Sequence, residues 1–189
     1  MSKCLIVIAD KNQQSYTHKS ILPTVKRAYQ KNNWSIEVIN LYREGFDITD
    51  TNKNNVFVKS FKHQVKSATH IHFVSTTGLL GFSPMMTGFF NEVLTEGFAY
   101  TKKKGFFKST YKPHLGKKEV WFHISHTQTK ATKLNLSWLK LKQTIPAVFE
   151  NAEVLQYGLE CGNHATLYKK LKSLTDSLEK GVEFLEKED

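Results

Sequence analysis

The sequence predicts an open α/β fold: a doubly wound, five-stranded parallel sheet in the order 2-1-3-4-5 with helices on both faces. Three observations predict it. The run Cys4-Leu5-Ile6-Val7-Ile8-Ala9 is apolar almost without a break and ends in a polar loop, the pattern of a strand covered on both faces. Strand-like and amphipathic helical segments then alternate along the chain, and right-handed crossovers leave few other topologies. Finally, 189 residues with 40% apolar content suffice for about one domain, and no repeat or low-complexity linker divides them, so residues 1–189 are expected to form one domain.

After the first strand and the loop Asp10 to Tyr16, apolar residues at Ile21, Leu22, Val25, Ala28 and Tyr29 give a helix over Thr17 to Asn32, ended by Asn32-Asn33. Trp34 to Tyr42 alternates and is β-branched, which predicts the second strand. A polar connector, Arg43 to Asn52, leads to a helix from Asn54 to Ser67 with Val56, Phe57, Phe61 and Val65 in phase. His70 to Ser75 forms the third strand, and Thr76 to Ser83 a loop. A helix then starts at Pro84, where a missing N–H costs nothing, and carries Met85, Met86, Phe89, Phe90, Val93 and Leu94 over a wide arc. Residues 98–116 read as an aromatic loop, Glu119 to Ile124 as the fourth strand and Val154 to Leu159 as the fifth, with helices over Leu134 to Phe149 and Thr166 to Glu186.

Composition narrows the function classes. No apolar stretch reaches the roughly 20 residues needed to cross a bilayer, and the short run at the start lacks a cleavage site, so no membrane insertion is expected. Two distant cysteines, Cys4 and Cys161, make neither a disulfide scaffold nor a metal knuckle, in keeping with a cytoplasmic protein. The net charge of +10 is spread along the chain, densest at Lys102-Lys103-Lys104, Lys117-Lys118 and Lys169-Lys170-Lys172, and no nucleic-acid motif accompanies it. No nucleic-acid partner is expected.

In a sheet of this order ligands bind beyond the carboxyl ends of the strands, where the strand order reverses. The loops concerned are Asp10 to His18, Thr76 to Ser83 and Ser125 to Lys130, and the first two open helices, offering N–H groups and a dipole to an anion. A phosphorylated ligand suits such a site. His70, His72 and His123 fall on neighbouring strands, but without an acidic or cysteine partner at ligand spacing they read as core or capping residues, and no metal is expected.

The motifs Ala9-Asp10-x4-Ser15-Tyr16-Thr17, Asn40-Leu41-Tyr42-x3-Phe46 and Ala68-Thr69-His70-Ile71 run through the first half of the chain. Further on come Phe82-Ser83-Pro84-Met85-Met86-x2-Phe89-Phe90-Asn91-Glu92-Val93-x3-Gly97-Phe98-Ala99-Tyr100 and Leu115-Gly116-Lys117-Lys118. Together they resemble the flavodoxin-like NAD(P)H:quinone oxidoreductase family, which includes the potassium-efflux ancillary proteins and the modulator of drug activity B. The resemblance implies bound FMN, with FAD as the alternative, an NAD(P)H donor and a quinone-like acceptor. It also implies a homodimer formed through residues 82–107.

Residue by residue, the resemblance puts Asp10, Ser15, Tyr16 and Thr17 at the flavin phosphate, Ser15 and Thr17 serving equally as helix caps. Thr76, Thr77, Gly78, Leu79 and Leu80 lie against the flavin ring, as do Ser125, His126, Thr127 and Gln128, and His126 is the candidate catalytic proton donor. The chain departs from the family at three points. Asp10-Lys11 replaces a histidine, Thr76 to Leu80 lacks the proline and aromatic, and Ser125 to Gln128 replaces a Thr-Thr-Gly-Gly run. Those departures keep a second function class open: a flavodoxin-fold binding or regulatory subunit, for instance of an ion transporter.

Overall fold

The computed structural model describes residues 2–47, 55–78, 81–103, 110–126, 145 and 148–157, with the backbone alone at 77, 78, 81, 126 and 153–157. Strand β1 (Lys3–Ala9) lies in the interior of the sheet: Cys4 to Ala9 are all fully buried, so both faces of the strand need cover. It pairs in parallel with β2 (Ser35–Asn40) on one side and β3 (His70–Gly78) on the other. Strand β7 (Glu119–His126) follows β3, and β8 (Asn151–Tyr157) closes the row, giving the expected order as β2-β1-β3-β7-β8.

Each sheet face has its own core. Leu5, Val7, Ile71, Phe73, Val120 and Phe122 project toward helices α2 (Val56–Ser67) and α3 (Pro84–Val93), where Phe73 stacks on Phe122 at a centroid distance of 5.0 Å. The alternate residues Cys4, Ile6, Ile8, Val74 and Trp121 meet Val25, Ala28 and Tyr29 of α1 (Leu22–Lys31) on the opposite face. Period-two alternation along each strand thus divides one sequence between two cores. Asn33, at φ +56°, ends the α1 segment in the left-handed conformation that asparagine tolerates.

Several expectations are corrected. The helix expected from Thr17 opens with a π-turn over Thr17–Ile21 before α1 begins. Strand β3 runs on through Gly78, and a short strand β4 (Gly81–Phe82) folds back antiparallel on it, pairing Thr77 with Phe82 and Gly78 with Gly81, where a plain loop was expected. Because β7 holds the other edge of β3 as far as Thr77, β4 takes the edge that β1 leaves at Ala9. The aromatic loop expected at 98–116 contains a hairpin, β5 (Tyr100–Lys103) with β6 (Thr110–Pro113). Gly97 turns the chain into β5 at φ +86°, a conformation open to glycine, which accounts for the glycine of the Gly-Phe-Ala-Tyr motif.

The buried stripe of α2 is Val58, Phe61 and Val65, whereas Val56 and Phe57 of the expected face stand exposed in the first turn, beside the Asn55 cap. Strand β8 begins at Asn151 and ends at Tyr157, earlier at both ends than expected. Of the helix expected at 134–149 only 145, 148 and 149 are described; there Phe149 N–H donates to the Ile145 carbonyl at 2.9 Å. The final helix expected at 166–186 lies outside the described residues.

Candidate functional site

At the carboxyl edge of β1 the chain leaves the sheet at Asp10, which is only 5% exposed. Its carboxylate closes the following loop on itself. Oδ1 accepts the Asn12 N–H at 2.9 Å, and Oδ2 accepts the Ser15 hydroxyl at 2.6 Å. The Asp10 backbone carbonyl accepts a hydrogen bond from His18 Nε2 at 3.0 Å, which assigns that ring nitrogen its proton, since a carbonyl can only accept. Sequence reasoning placed His18 at the end of the loop without giving it this role.

Ser15 caps the helix only weakly, its Oγ accepting the His18 N–H at 3.5 Å, while Tyr16 rather than Ser15 holds the cap position. Thr17 is fully buried and its hydroxyl has no hydrogen-bond partner among the described residues. Such an atom is costly to leave unmet, on the order of 1–3 kcal/mol.

The segment that leads into α3 is tied to the end of β1 through two serines, Ser75 of β3 and the cap residue Ser83. Ser83 Oγ donates to the Ala9 carbonyl at 3.2 Å, accepts the Met86 N–H at 3.3 Å as the cap of α3, and lies 3.2 Å from Ser75 Oγ. Ser75 is buried and also reaches the Thr76 carbonyl at 2.9 Å. A serine just before a proline was the available signal for Ser83, because such a residue reads as a cap.

Thr76 is half-buried in β3, and Thr77 and Gly78 belong to the same strand instead of a loop. Ser125 and His126 likewise stand inside β7, paired in register with Thr76 and Thr77. The structure therefore brings Asp10, Ser15, Thr17, Thr76 and Ser125 to one edge of the sheet. Leu79, Leu80, Thr127 and Gln128 lie outside the described residues.

On the α1 face a second polar group is buried well below this edge. The Tyr29 hydroxyl lies 2.9 Å from His70 Nδ1 and 2.7 Å from His72 Nε2, and His72 Nδ1 lies 2.8 Å from His123 Nε2. Trp121 stacks on the His72 ring at 4.7 Å. Burial lowers the pKa of His70 to about 4 and that of His123 to about 3; it also pushes His72 well below the usual range, with His123 and His70 adding to the effect. The three imidazoles are neutral at neutral pH, and each acts as donor at one nitrogen and acceptor at the other. Among the described residues no group of three or more His, Cys, Asp or Glu is arranged to hold a metal ion.

No curated protein matches the sequence. A Streptococcus mutans protein of known structure, Smu.1420, is 20% identical with a TM-score of 0.68, over 92% of this chain and 98% of its own. An FMN-dependent NADH-azoreductase from Bacillus anthracis, solved in complex with FMN, is 16% identical with a TM-score of 0.68, over 98% and 99% of the two chains. An NAD(P)H:quinone oxidoreductase from Methanothermobacter marburgensis is 14% identical with a TM-score of 0.66, over 94% and 97%. At such identities the likeness speaks for the fold. The family profile described as flavodoxin-like fold matches residues 2–150, most of the length, and with the sheet order and the loop geometry it places this chain in the flavodoxin-like fold family.

Proposed function

We propose that the chain is a flavin-dependent oxidoreductase that binds FMN, takes reducing equivalents from NAD(P)H and passes them to a quinone-like or related small acceptor. One observation carries the reading. The end of β1 and the turn from β4 into α3 meet where the strand order reverses, clamped by Ser83 between the Ala9 carbonyl and Ser75, with the Ser15 and Thr17 hydroxyls at the head of a helix. The azoreductase and quinone-reductase names of the structural relatives point the same way.

Bound flavin would supply the hydride chemistry, and the protein would supply binding, orientation and charge. In this reading Ser15, Tyr16 and Thr17 hold the phosphate; Thr76 to Leu80 and Ser125 to Gln128 border the ring; His126 offers a proton. The partly buried Phe82, Met85, Phe90, Phe98 and Tyr100, packed against the α2/α3 core, would adjoin a second copy across residues 82–107. The donor set fits a phosphate at its hydroxyls and disagrees with it at Asp10, whose carboxylate already accepts the Ser15 hydroxyl's hydrogen bond.

That disagreement favours a second reading, a flavodoxin-fold binding or regulatory subunit without turnover. A visible spectrum of the purified protein after incubation with FMN or FAD separates the two. Flavin bands that survive desalting, followed by NADH or NADPH oxidation, are the expected result. A protein that stays colourless with both flavins overturns the enzyme reading.

A further inference from the structure

We propose that Asp10 is a built-in competitor for the phosphate of the flavin: the Ser15 hydroxyl can grip FMN only by breaking its hydrogen bond to Asp10. The inference rests on the flavin reading of the same site. Ser15 has one hydroxyl proton, and at 2.6 Å to a carboxylate oxygen it is engaged in a short, charge-assisted bond. The Asn12 N–H is engaged by the other oxygen. Two donors that an anion reaching this loop would seek are therefore held by an anion already there.

The carboxylate is also hard to move. Asp10 is 5% exposed, its own carbonyl is bonded to His18, and the preceding carbonyl, of Ala9, is held by Ser83. Only a side-chain rotation can vacate the loop, and it leaves a buried carboxylate next to a phosphate, a repulsion that water screens poorly at that depth. Among the hydroxyls Thr17 is the exception, since its buried hydroxyl has no partner among the described residues and could still donate. The site therefore recognises the ring and ribityl chain of a flavin more than its terminal phosphate, and Asp10 sets that specificity.

The test compares FMN with riboflavin, which lacks the phosphate, by quenching of flavin fluorescence with wild type, Asp10→Asn and Asp10→Ser, each checked for native circular dichroism. Wild type is expected to bind the two flavins with dissociation constants within about threefold of each other, and both variants to bind FMN about tenfold more tightly with riboflavin unchanged. A wild-type preference for FMN of about tenfold or more, or variants that leave the ratio unaltered, overturns the proposal. Should neither flavin bind any of the three proteins, the flavin reading itself fails, and inorganic phosphate decides the role of Asp10. Thermal stabilisation by phosphate over chloride at equal ionic strength, larger in the variants than in wild type, upholds it; an equal response overturns it.

Discussion

The Tyr29 hydroxyl lies 2.7 Å from His72 Nε2 inside the α1 face of the sheet, and it also touches His70 Nδ1 at 2.9 Å. Two proton arrangements satisfy the whole row: Tyr29 donates to His70 while accepting from His72, or donates to His72 while accepting from His70, with the His72–His123 bond reversing to match. Removing the hydroxyl strands a nitrogen on each ring. Tyr29→Phe is expected to lower stability by about 1–3 kcal/mol, seen as a lower urea midpoint at an unchanged slope.

The same histidines set an acid limit. Because burial depresses their folded-state pKa below the usual 6.5, to about 4 for His70 and about 3 for His123, the unfolded chain binds more protons throughout that interval. Their contribution is fully present above pH 6.5 and is lost as pH falls toward those values. Each neutral histidine should add about 1.4 kcal/mol per pH unit to the slope of stability between these limits. Urea titrations at stepped pH measure it, and His123→Gln should give a shallower slope than wild type.

Phe73 sits at the middle of the α2/α3 core, within 5.0–6.2 Å of the rings of Phe122, Phe90, Phe149 and Phe89. No neighbour can collapse into the space it fills without moving others. Phe73→Ala should cost about 3–5 kcal/mol by denaturant unfolding, more than the loss of the Tyr29 hydroxyl.

Lys118 is 8% exposed, and its ammonium donates to backbone carbonyls, that of Lys66 at 2.9 Å and that of Ala68, at the end of α2. It serves as a remote cap, joining the segment before β7 to the helix that precedes β3, and burial pulls its pKa below the ordinary lysine value. Lys118→Met keeps the stem and removes the donor. A loss of about 1–3 kcal/mol is expected in thermal or urea unfolding, because two carbonyls lose their partner.

Ser83→Ala removes the cap of α3 together with the bond to Ala9. Stability should fall by about 1 kcal/mol. Hydrogen exchange should quicken at the Met86 amide while the amides of β1 stay protected.

Much of this could be read from the chain because the signals are local. The run Cys4 to Ala9 needs no partner to identify it as a doubly covered strand, and the parity of His70 and His72 puts both on one face before any contact is known. That Tyr29, from a helix, would bridge them depends on where α1 crosses the sheet, which periodicity does not report. Strand β4 was hidden for a related reason: two residues carry no pattern, and their pairing exists only because β1 stops at Ala9 and frees the edge of β3. At the edge of the sheet, the place of Ser15 and Thr17 at the head of a helix was legible. The capture of Ser15 by Asp10 was not, since it turns on how a five-residue separation folds back.

That fold-back divides the loop after β1 into a closed ring and a free tip. Hydrogen bonds that join Asp10 to Asn12, Ser15 and His18 fix both ends, and the Asn12 side chain accepts the Gln14 N–H at 3.0 Å, while Lys11, Gln13 and Gln14 are exposed. Changes of charge or size at Lys11, Gln13 or Gln14 can therefore accumulate without disturbing the geometry behind them. It is at this rim, and not in the ring, that the molecule has latitude to adapt to a new ligand or neighbour.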